Sequence, residues 1–156
     1  MTATSPPATL TALRRRLLGL LLLGLAGTAT DLLLMGHYED ASQMIPLVTI
    51  GLAALATLGL AATSPATPPA AVMVRAFQAV MILLILSGGA GTILHYRANM
   101  EFKLEMDPSL SGLALFSSVV RAKSPPALAP GTLVLLGLLG LVSVFRRRED
   151  PPSGNG

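Results

Sequence analysis

Only two imidazoles occur in the chain, His37 and His95, and each is followed directly by a tyrosine. Glu39 and Asp40 lie just after the first; Glu101 and Glu105 lie a short way after the second. Imidazole nitrogen and carboxylate oxygen together can hold zinc, manganese or non-haem iron. The first candidate site is therefore His37, Glu39, Asp40 and His95, with Glu101 and Glu105 as additions. The spacing matches no established metal motif. Two histidines on facing helices could instead be the axial ligands of a b-type haem, and the glycines nearby would make room for a macrocycle. The plain alternative is that His and Tyr sit at the membrane–water boundary, where amphipathic rings collect.

Asp31 is the one acid well inside an apolar run. Such acids are costly in lipid and are common in proton or cation pathways. The competing role is structural, an ion pair with Arg97. Nucleophile elbows, phosphate loops, dinucleotide fingerprints and HExxH are all lacking, and with no cysteine thiol chemistry is excluded. The expectation leans away from an enzyme.

These residues have to be positioned by membrane helices. Hydrophobic types make up 52% of the 156 residues and charged types only 12%, against about a quarter in soluble domains. The hydrophobicity is gathered into runs of about the ~20 residues that a helix needs to cross hydrocarbon. Spans are expected at 17–36, 43–62, 71–96 and 127–145 inside a membrane domain of 14–148, with segment 97–126 outside and disordered tails at 1–13 and 149–156. The fold expected is an all-α integral membrane protein, a four-transmembrane-helix antiparallel bundle. The first run has a basic start like a signal peptide, but without a clear cleavage site it reads as a retained helix.

Arg14–Arg16 precede the first run and Arg146–Arg148 follow the last. Flanking arginine marks the cytoplasmic side, so both termini are expected inside. The net charge of +3 then reflects topology, with the lipid bilayer as partner and no nucleic acid. Heavy use of Ala, Leu, Gly, Pro and Arg is compatible with a bacterial inner-membrane protein.

The order span, His-Tyr, connection, proline, span occurs twice, with Pro46 and Pro130 each placed as a first helical residue. This suggests a duplicated helical hairpin with His37 and His95 level at the outer face. Small-residue pairs Gly24/Thr28, Ser87/Gly91 and Gly88/Thr92 would let the first and third helices approach.

From Met100 to Asp107 apolar and charged residues alternate, which reads as an extended segment with Met100, Phe102, Leu104 and Met106 on one face. A short interfacial helix follows, capped by Asp107 and carrying Leu110, Leu113 and Phe116. Phe102, Leu104, Met106, Leu110, Leu113 and Phe116 form a candidate interaction segment for a protein partner or a second copy. The leading functional expectation is a non-enzymatic accessory or interaction subunit. A metal- or haem-binding protein and a proton or cation conductor are the alternatives.

Overall fold

The structure is a computed structural model that describes residues 8–63, 69–121 and 128–145. It is all-helical: α1 (Ala8–Leu34), α2 (Ala41–Ala61), α3 (Ala71–Met106), α4 (Gly112–Val120) and α5 (Leu128–Ser143). Three helices, α1, α2 and α3, are long and apolar enough to cross a membrane. The 16 residues of α5 reach about 24 Å, somewhat less than the ~30 Å of a hydrocarbon core.

A helix satisfies its own backbone, so Leu- and Ala-rich runs can lie in lipid without stranded polar groups. The hydroxyls within them follow the same rule. Thr28 donates to the Gly24 carbonyl, Thr57 to Ala53, Thr92 to Gly88 and Ser143 to Gly140.

α1 packs on α2 and α5, and α3 packs on the same two helices. The α5 register is antiparallel to both α1 and α3. An added Cβ on Gly24 would meet Leu136, and one on Gly140 would meet Met81 and Leu21. At one end the Arg14 guanidinium donates to the Phe145 carbonyl at 3.1 Å, a cation on the C-terminal end of α5. Gly88, Gly91 and Gly137 bring α3 against α5: a Cβ on Gly88 would lie 2.5 Å from the Pro130 carbonyl oxygen. Leu21, Leu25, Ala53, Leu60, Phe77, Met81 and Leu84 fill the shared interior.

Several expectations are corrected. The expected extended segment at Met100–Met106 is the last part of α3. Residues 96, 99, 100, 103 and 104 are the less exposed ones there, which is helical spacing, so the two-residue alternation of charge is incidental to the fold. Extending an existing helix needs no new nucleus, and no Gly or Pro intervenes before Pro108. Asp107 ends α3 instead of capping the next helix. Its carboxylate accepts from the Ser109 hydroxyl and N–H, which hold it below the usual carboxylate range. α4 starts at Gly112 after Ser111.

Pro46 lies inside α2, which starts at Ala41, and Pro130 is the third residue of α5. Residues 8–13 of the expected N-terminal tail are helical, while 1–7 and 149–156 lie outside the described residues. Gly24 and Gly88 both face α5 rather than one another. The halves also differ at their His-Tyr pairs, since the first follows a helix end and the second sits within α3.

Candidate functional site

α1 ends in a turn that fixes His37. Gly36 has φ +68°, a left-handed conformation that glycine adopts without a Cβ penalty. The His37 N–H donates to the Leu32 carbonyl at 2.9 Å and the Gly36 N–H to Leu33 at 3.1 Å. This pair of bonds is the Schellman motif with Gly36 as its left-handed residue. The far side of the turn is held as well, because the Glu39 N–H donates to Gln43 Oε1 at 3.0 Å. His37 is thus pinned between two helix ends.

His95 rides on α3, one turn beyond the glycines that seat α3 against α5. The two imidazoles stack: their ring centres are 5.9 Å apart and their planes differ by 27°. Burial first, and then the neighbouring His95, hold the His37 imidazole below its ordinary value.

Beneath the pair lies a cavity of about 240 Å³, under the ~300–1,000 Å³ usual for small-molecule pockets. A macrocycle needs more room. Its walls include Leu32, Ile45, Leu94 and Leu133, and its polar lining includes His37, His95, Ser42, Gln43 and Ser87. Ser87 Oγ is buried with no hydrogen-bond partner among the described residues, unlike the hydroxyls of Thr28, Thr57 and Thr92. It sits eight residues before His95, or about 12 Å deeper along α3. Pro46 has no N–H, so the Ser42 carbonyl loses its helical donor at the cavity wall.

The other candidates lie outside this cluster. Glu39 and Asp40 are exposed in the turn, and Glu101 and Glu105 are exposed on α3, about 9 and 15 Å past His95 along the axis. Among the described residues no group of three or more His, Asp and Glu could hold a metal ion. Asp31 is exposed on α1 and Arg97 on α3. In the interaction segment Phe102 (57%), Met106 (71%), Leu113 (81%) and Phe116 (51%) stand open to the surroundings, while Leu104 and Leu110 are half-buried. Tyr96 holds Phe116 at 6.2 Å between ring centres.

Sequence reasoning brought the histidines to one level but did not assign Gly36 to a turn, Gln43 to its far side or Ser87 to a cavity. Gly just after an apolar run is a helix-stop signal that could have located the turn. A serine in the middle of a leucine-rich span was the available sign of the cavity.

Together these features describe an all-helical chain with three membrane-length apolar helices and a paired-imidazole cavity at one end. Comparison with known proteins gave no matching family model, no matching curated protein and no matching solved structure.

Proposed function

We propose that this chain is a four-span membrane protein of the bacterial inner membrane, with both termini cytoplasmic, that binds a metal ion between His37 and His95 at its outer face. The juxtaposition of the two rings, stacked with their centres 5.9 Å apart, is the observation behind this reading. Two independent chain segments are fixed there by unrelated devices, a Schellman turn and a glycine-packed helix. The fourth span is α5. It packs antiparallel on α3 from Pro130 to Gly140 and on α1 at Leu136 and Gly140, which supports a shared depth even though it is shorter. The lowered affinity of His37 for a proton favours the neutral form that ligates metals.

Metal analysis of the full chain purified in mild detergent tests the reading. Wild type is expected to bring down about one metal ion per chain or to take one up on titration. His37→Asn and His95→Asn together should abolish uptake. Equal uptake by the double variant would reject the site.

A second reading is favoured by the four exposed apolar residues on α3 and α4. It makes the outer end of the protein an accessory surface for a protein partner or a second copy. Exclusively monomeric protein in mild detergent, with residues 100–120 exchanging amide hydrogens fast, would count against it.

A further inference from the structure

We propose that the cavity below the imidazole pair binds a small uncharged molecule of the lipid phase, an alcohol or carbonyl compound of about ten non-hydrogen atoms, whose oxygen hydrogen-bonds to Ser87. This site goes beyond the metal reading and needs no ion between His37 and His95.

The first observation is the Ser87 hydroxyl. Inside a helix, serine and threonine ordinarily donate to a carbonyl three or four residues back. Thr28, Thr30, Thr49, Thr57, Thr92 and Ser143 all do so. Ser87 does not. Its Oγ is buried without a hydrogen-bond partner among the described residues, and the residue lines the cavity. A hydroxyl can both donate and accept, and burying it unpaired is unfavourable. A guest that carries an oxygen supplies the missing bond. A buried water needs about two to four polar partners, and the other polar lining, His37, Ser42, Gln43 and His95, belongs to the outer end.

The second observation is the rest of the lining. Leu32, Ile45, Ala90, Leu94 and Leu133 make it apolar. Apart from the imidazoles, no ionisable side chain among the described residues lines the cavity, so a charged guest would lose its hydration without gaining a counterion. Size sets the scale of the guest. An apolar cavity of ~150 Å³ takes one benzene, so about 240 Å³ takes roughly half as much again.

The third observation is the way in. Ile45 and Leu94 are each 55% exposed, and Ala90 is exposed beside them. In the four-span arrangement this flank meets lipid, so a guest dissolved in the bilayer enters from the side.

The test places the full chain in lipid nanodiscs with 15N-labelled histidine. His37 and His95 are the only histidines, so their ring signals report from the outer end of the cavity. Octan-1-ol and octan-2-one are titrated in parallel with nonane and octanoate, molecules of similar size. The two uncharged oxygen-bearing probes should shift at least one imidazole saturably, and nonane and octanoate should bind about tenfold more weakly or worse. Ser87→Ala, which a helix tolerates well, should weaken both oxygen-bearing probes about tenfold and leave nonane unchanged. Ala90→Leu, which adds bulk to the wall, should weaken all of them. Nonane or octanoate bound as tightly as octan-1-ol would overturn the proposal. So would equal binding of octan-1-ol and octan-2-one by wild type and Ser87→Ala, or the lack of a saturable shift with any probe.

Discussion

His37 stacks against His95 from the turn that Gly36 makes. A residue with a Cβ at φ +68° would carry a strain of roughly 1–2 kcal/mol, so the turn would relax and the imidazole would shift. His37 is also sensitive to protons. The ordinary value for His37 is 6.5, and in the fold it is lowered by burial and by His95. On acidification the unfolded chain therefore takes up its proton first. The stability tied to this group is complete above pH 6.5 and declines as pH falls through the folded value. Asp107 has the same sign, but its ordinary value of 3.8 places its effect in more acidic solution. Thermal unfolding in detergent should show the midpoint falling between about pH 7.5 and pH 5.5. His95→Asn leaves burial in place and removes the like-charge neighbour, so its midpoint should fall less over that window. An equal fall in the variant would remove His95 as a cause. The types and level of the two imidazoles were legible in the sequence. Their contact was not, because it depends on a turn geometry and a helix seating that no spacing rule encodes.

At the scale of helices, α3 does most to organise the site. It carries Ser87 with Gly88, then Gly91, then His95 on successive turns and is seated closely against α5. Gly88 has no space for a side chain, since its Cβ would lie 2.5 Å from the Pro130 carbonyl oxygen. That oxygen is main chain and cannot rotate away. Gly88→Ala should therefore push α5 off α3 and lower stability by about 1–3 kcal/mol. Gly27 is on a helix too, but nothing lies within 4 Å of an added Cβ there. Gly27→Ala should be neutral or stabilising by up to about 1 kcal/mol, as helix propensity alone dictates. Melting of the two variants in the same detergent checks this, and similar losses for both would refute close α3–α5 packing. The sequence did show small residues at helical spacing in these runs. It could not show their partner: the same pattern fits an α1–α3 contact and an α5 contact, and only the three-dimensional arrangement chooses. The misreading of 100–106 has a similar origin. A strict alternation of charge suits a strand, yet a helix already built from residue 71 continues through it more cheaply than a lone unpaired strand could form.

The whole molecule has one clear asymmetry. One end carries Arg14, which donates to Phe145, with the remaining arginines of both triplets next to these residues in the chain. The other carries the His37–His95 pair, the end of α3 and α4. α3 is 36 residues long, or about 54 Å, so a ~30 Å hydrocarbon layer would leave roughly 20 Å of it outside. The covered residues change character along that length, from Phe77, Met81 and Leu84 in the first half to Asn99 and Lys103 at the far end. A helix that leaves the hydrocarbon should change in this way. The arrangement predicts a pattern of accessibility that the chain is well suited to report, because it has no cysteine of its own. Single cysteines at Glu39 and Ser109, both exposed, should react in intact cells with a membrane-impermeant maleimide. Cysteines at Thr9 and Ala70, also exposed but at the arginine-flanked end, should react only after the membrane is opened. A cysteine at Leu23, exposed in the apolar part of α1, should resist the reagent in both conditions. Labelling of positions 39 and 109 from opposite sides of the membrane would show that α2 and α3 do not form an inward-and-outward pair. The shared level of the two imidazoles, and with it the metal site, would then be lost.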